Sequence, residues 1–158
     1  GLLDIGFLLE PVDVSRYEFV RIPIREEWGV LVSETSELAQ KTSVTPQDLA
    51  DKPLLFSRRD LVKRELMNWF GPYADGLNIV ACGNLPFNLS MLVQQGMGAH
   101  LSLRKNCQYD GVCFRPLSPK LESNVVLAWK KNQAMSPAAR GLIAEAKKYV
   151  ECISCYKE

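Results

Sequence analysis

The chain has 158 residues, 47% hydrophobic and 23% charged, with 19 basic residues against 18 acidic for a net charge of +1. That balance suits one ordinary folded domain or two small lobes and excludes a disordered chain. No basic stripe suggests direct nucleic-acid binding, and no apolar run approaches the roughly 18 residues that a membrane span needs. The five cysteines follow no regular framework, so a reducing compartment, the cytoplasm, is expected.

Leu2–Leu9 is an apolar run broken only by Asp4 and Gly6. It predicts a strand covered on both faces, as in a parallel sheet. With Asp4 inside and no basic leader it is not a signal peptide, and Glu10-Pro11 ends it. Tyr17–Ile24 alternates as a strand, with Pro23 implying an edge or a bend. Trp28–Val32 reads as a second short strand, entered through Glu26-Glu27. Ser36–Gln40 reads as one helical turn. Thr45-Pro46-Gln47-Asp48 carries a hydroxyl cap, a proline at the first helical position and an acid three residues after the cap, so it starts a helix. Pro53 stops that helix and the strand Leu54–Ser57 follows.

Ser57 is expected to open the next helix, with Leu61, Val62, Leu66, Trp69 and Phe70 on its apolar face. Gly71-Pro72 ends it. Arg58, Arg59, Lys63 and Arg64 share this helix with Asp60 and Glu65 and read as a solvated face. Leu77–Cys82 is a strand, and Asn84 is expected to open a helix running to Gln95, with Leu89, Leu92 and Val93 inward. Gly96-Met97-Gly98 follows a helix, so it reads as a left-handed stop and not as a phosphate loop. Ala99–Leu103, Val112–Leu117 and Ser123–Trp129 are strands, the first two separated by the turn-rich stretch Lys105–Gly111. Ser136-Pro137 opens a last helix through about Cys152, with Leu142, Ile143, Ala146, Tyr149, Val150 and Ile153 at intervals of three and four. The alternation of strands and helices predicts an α/β fold. The first strand reads as central to a sheet yet has nothing before it to pair with, which suggests a fragment.

Little here supports an enzyme. No serine or cysteine stands in a nucleophile elbow, and no metal-ligand cluster or cofactor motif appears, so no cofactor is expected. The sole histidine, His100, reads as structural. Asp4, Asp48 and Asp60 occur singly, in capping or surface positions. Cys152-Ile153-Ser154-Cys155 has redox spacing but no strand before it. Cys107 and Cys113 flank a turn and are expected as free thiols.

Several landmarks converge in order: LLDIGFL, SELAQKTSVTPQDLADKPLLF, MLVQQGMGAHLSLRKN, FRPLSP and VVLAWKKN. Together they resemble the effector-binding (substrate-binding) domain of LysR-type transcriptional regulators, over essentially the whole chain. The resemblance implies a type 2 periplasmic-binding-protein-like fold: two α/β lobes with a central cleft in which a small inducer binds. It places a partial first lobe with the crossover strands at 1–28 and 117–158, and the second lobe at 29–116. The winged helix-turn-helix and the start of the first lobe have no counterpart here, so the first lobe is expected to be incomplete. The peroxide-sensing branch carries reactive cysteines near the segment matching Phe56–Phe70, which has none here. The implied function is an effector-binding domain sensing a small anionic metabolite, homo-oligomeric (a dimer, a tetramer in the full-length protein) and reaching DNA through the absent N-terminal domain. The alternatives on the same fold are a solute-binding protein of a transporter and an enzyme domain.

In an open α/β sheet, ligands lie outside the carboxyl ends of the strands, near helix N-termini. Phe56, Ser57 and Arg58 at one strand-to-helix junction, and Asn84 and Leu85 at another, are therefore candidate ligand contacts. Arg58 or Arg59 would supply a charge-assisted contact to a carboxylate. For Ser57 and Asn84 the alternative is that each merely caps its own helix. Phe7, Leu8 and Leu9, ending the first strand, would face the ligand from the other lobe, with core packing expected for two of the three.

Overall fold

A computed structural model describes residues 3–13, 15–105 and 109–155, with side chains up to residue 153. The chain divides into two compact units, residues 1–26 with 123–158 and residues 27–122.

In the first unit, β1 (Ile5–Leu9) pairs with β7 (Glu122–Lys130), Gly6 opposite Ala128 and Leu8 opposite Val126. The pairing is antiparallel and Phe7 is 69% exposed. This corrects the expectation of a strand covered on both faces in a parallel sheet. A mostly apolar run carries no information about strand direction. β7 also neighbours β2 (Tyr17–Ser33). The Trp129 indole donates to the Glu18 carboxylate at 2.9 Å, and the Lys147 ammonium sits 5.3 Å from the centre of its ring. The last helix, α4 (Pro137–Cys155), is opened by Ser136, whose hydroxyl accepts from the Ala139 N–H at 3.2 Å. Ala139 and Ile143 are buried, whereas Leu142 and Tyr149 are exposed. The covered stripe of α4 is therefore narrower than the apolar spacing predicts.

Residues 17–33 form one 17-residue strand, not two. Proline's fixed φ fits extended backbone, and Pro23 falls in an exposed stretch, so it does not break the strand. Burial becomes continuous from Trp28 to Val32, where β2 enters the second unit as a strand covered on both faces. There β5 (Ala99–Leu103) and β6 (Val112–Pro116) pair antiparallel with β2. On the far side of β5, β3 (Pro53–Ser57) runs parallel to it, and β4 (Asn78–Gly83) runs parallel to β3. Strand alternation divides the side chains between two cores. Leu54, Phe56, Ala99 and Leu101 join Val62, Leu66 and Phe70 of α2 (Asp60–Phe70). Leu55 and Leu31 join Leu89 and Val93 of α3 (Pro86–Gln94) on the opposite face.

Helix α1 (Pro46–Leu49) starts as its sequence predicts. Asp48 accepts from the Thr45 N–H at 2.9 Å, and the Thr45 hydroxyl oxygen accepts from the Asp48 N–H at 3.4 Å. The Lys41 ammonium lies 2.6 Å from the same carboxylate. The Lys41 contact first, and then the Thr45 N–H, hold the Asp48 carboxyl down at about 2, from an ordinary 3.8. Asp48→Ala is expected to cost about 1 kcal/mol, the usual size of a lost cap. The stabilisation is full above pH 3.8 and is lost as pH falls towards 2. Urea titrations of wild type and variant at pH 7 and pH 2.5 check this: the gap between them is expected to shrink at the lower pH.

Helix α3 ends where its glycines predict. The Met97 N–H donates to the Leu92 carbonyl at 3.0 Å and the Gly96 N–H to the Val93 carbonyl at 2.9 Å, with Gly96 at φ 75°. This is the two-bond closure that glycine favours past a helix end.

Candidate functional site

The two junctions lie side by side because β3 and β4 are parallel neighbours with Phe56 opposite Cys82 and Ser57 opposite Gly83. The structure thus brings Ser57 and Arg58 together with Gly83, Asn84 and Leu85 at the carboxyl ends of two adjacent strands. Phe7 and Leu8 lie in the first unit, Phe7 exposed and Leu8 half-buried.

The helices begin later than the sequence predicts. Helix α2 starts at Asp60 with Arg59 as its cap residue, and α3 starts at Pro86 with Leu85 in that position. Neither cap residue closes its helix with a side-chain hydrogen bond. The expectation that Ser57 and Asn84 open these helices is therefore corrected. Ser57 is still the last residue of β3, and its hydroxyl oxygen accepts from the Arg59 N–H at 3.2 Å, which makes a local turn. Asn84 is exposed, and its side chain has no hydrogen-bond partner among the described residues. First-turn N–H groups of both helices are thus left without a side-chain partner, and the helix dipole favours negative charge there.

Arg58 is fixed at both ends. Its backbone N–H donates to the Gly83 carbonyl at 3.2 Å, and its side-chain Nε–H donates to the Cys82 carbonyl at 3.2 Å. The guanidinium is thereby held over the end of β4 while remaining exposed. Among the described residues, Arg58, Arg59, Lys63 and Arg64 have no ion pair, whereas Lys41, Arg104 and Lys148 each have one and Lys52 has two. An open surface hollow of about 380 Å³ lies against α2, beside Asp60, Lys63, Arg64, Met67 and Asn68. Phe56 plays a different part. Its side chain is fully buried in the core, with its ring centre 6.2 Å from that of Phe70. Only its backbone remains available at the junction.

The role of the Cys82 and Gly83 carbonyls was not read from the sequence. The signal for it was the repeated strand-to-helix pattern, which in a parallel sheet places successive junctions next to one another. Among the described residues no group of three or more potential metal ligands occurs, and no helix is long and apolar enough to cross a membrane. Cys82, Cys113 and Cys152 are free thiols, while Cys107 and the Cys155 side chain lie outside the described residues.

The element order and the junction geometry define the type 2 periplasmic-binding-protein-like α/β class, and solved structures match it. The effector-binding domain of QuiR in complex with shikimate aligns with a TM-score of 0.78 at 22% identity, covering 94% of this chain and 72% of that one. The C-terminal domain of a probable LysR family transcriptional regulator from Rhodococcus sp. RHA1 aligns with a TM-score of 0.76 at 21% identity, covering 92% and 75%. HinK, a LysR family transcriptional regulator from Pseudomonas aeruginosa, aligns with a TM-score of 0.73 at 20% identity, covering 93% and 53%. The chain thus spans about half the length of HinK. No curated protein matches it in sequence. The family model for the LysR substrate binding domain matches residues 1–151, and the chain belongs to that family. It is an effector-binding regulatory domain. The family does not favour a transporter's solute-binding protein or an enzyme.

Proposed function

We propose that the paired junctions at Ser57–Arg58 and Gly83–Leu85 form one wall of the effector site and take a small anionic metabolite. The observation that carries this is Arg58, tethered to the end of β4 beside two helix starts without side-chain caps. An anion there meets a guanidinium already held in place, so less side-chain entropy is lost on binding. Asn84 adds an amide able to donate or accept. Binding shifts the regulator between conformations that differ in effector affinity. The full-length protein, a cytoplasmic homo-oligomer, passes that shift to an N-terminal DNA-binding domain.

The test is calorimetric titration of shikimate and other small carboxylates against the wild-type chain and the Ser57→Ala/Arg58→Ala variant. Losing a hydrogen bond to a charged group, worth about 1.5–3 kcal/mol, is expected to weaken binding by roughly tenfold or more. An affinity unchanged in the double variant removes this wall from the site.

A further inference from the structure

His100 is the only histidine in the chain and is 3% exposed. It stands on β5 opposite Leu31 of β2 and Leu55 of β3, so its side chain shares their face of the sheet, the face covered by α3. The ring Nδ1 lies 3.0 Å from the Leu55 carbonyl oxygen. A carbonyl only accepts, so Nδ1 carries the proton and Nε2 presents a bare lone pair. That Nε2 is buried and has no hydrogen-bond partner among the described groups.

Among the described residues, the elements packed around this face offer no counter-charge. Helix α3 has no ionisable side chain between Pro86 and Gln94, nor has β3 between Pro53 and Ser57, nor β2 between Trp28 and Ser33. On β4 the one ionisable group is the exposed Cys82 thiol. On β6, Cys113 packs against the other core, and the Arg115 guanidinium donates to the Ala39 carbonyl. Tyr109, packed against the α3-side core, brings a phenol and no carboxylate. A proton on Nε2 would therefore create a buried cation without an anion, which a packed core does not tolerate.

We propose that His100 is an acid-operated latch of residues 27–122: protonation of Nε2 releases β5 from β3 and from α3. Those elements carry the Ser57 and Asn84 junctions, so the latch also governs the effector wall. That last step rests on the effector reading, whereas the latch itself does not.

Burial holds the imidazole below its ordinary value of 6.5, against a smaller opposing pull from the Leu55 carbonyl. The unfolded chain therefore takes up the proton first. The contribution of His100 is full above about pH 6.5 and is lost as pH falls below that value towards the folded-state pKa. In that window the unfolding equilibrium constant rises by up to about tenfold per pH unit. Carboxylates titrate lower, so between about pH 6.5 and 5 the histidine dominates the response.

Urea unfolding of the chain between pH 7.5 and 5 tests the latch against His100→Gln, which keeps a donor for Leu55 but cannot titrate. The wild type is expected to lose stability below pH 6.5 while the variant stays level. An equal loss in both overturns the proposal. Should the variant not fold, NMR of the wild type decides, because a sole histidine gives an unambiguous ring signal. The expected result is an Nδ1–H tautomer that gains its proton only as the amide signals of β3 and α3 collapse. A ring that titrates near 6.5 with those signals intact overturns it. Neither measurement uses an effector, so a failure of the Arg58 contact leaves this result standing, and the reverse.

Discussion

Gly98→Ala is expected to destabilise the 27–122 unit by about 3 kcal/mol or more, the combined size of a strained backbone and an overpacked contact. Gly98 sits at φ 154°, where side chains are rarely found, and a Cβ there would lie 2.3 Å from the Pro53 carbonyl oxygen and 2.9 Å from its carbon. Those atoms are backbone at the start of β3, a strand held between β4 and β5. They cannot step aside as the tip of a flexible side chain would. Gly96 is the control. It also has a positive φ, 75°, but a Cβ there meets nothing within 4 Å. Gly96→Ala therefore carries only the left-handed penalty of about 1–2 kcal/mol. Urea unfolding of the two variants, followed by circular dichroism, checks the ordering. Equal losses would mean that the close approach to Pro53 is unimportant.

Phe56→Ala is expected to cost about 3–5 kcal/mol, the range for a large aromatic side chain cut back in a packed core. With total stabilities of about 5–15 kcal/mol, that is enough to unfold a sizeable share of the molecules. Phe56 has no exposed surface and stacks against Phe70, which also meets Trp69 edge-on at 5.0 Å between ring centres. The indole of Trp69 is in turn anchored by donating to the Pro119 carbonyl at 2.7 Å. Removing Phe56 therefore opens a void in a group of rings fixed from behind, which limits collapse into the space. The urea midpoint and slope of the variant measure the loss. A purely ligand-contacting Phe56 would instead leave the midpoint unchanged and alter only binding.

These residues show which parts of the architecture can be read locally. Thr45, Pro46 and Asp48 close a helix start within four residues, and Leu92–Met97, with Gly96 inside, closes a helix end within six, so short-range rules place both. Ser57 misleads the same rules. A hydroxyl before a helical pattern resembles a cap, but pairing with Gly83 keeps Ser57 in the strand and moves the helix start to Asp60. The Arg58 tether to Cys82 spans 24 residues, so no local pattern carries it. The direction in which Phe56 faces follows from strand alternation, but only once it is known which side α2 covers. Leu142 and Tyr149 show the converse case. Helical spacing marks them as apolar, but it does not say how wide a stripe the neighbouring elements will cover.

The unbroken β2 strand constrains the chain in its length more than in its chemistry. Between Arg21 and Arg25 most side chains are exposed, so many substitutions there touch nothing. A single-residue insertion or deletion in that stretch is another matter, because alternation has a period of two. It would turn Trp28, Val30 and Val32 away from the α2-side core and put Leu31 in their place, unless a bulge absorbed the change. The segment joining the two units therefore tolerates drift in composition while its residue count stays fixed.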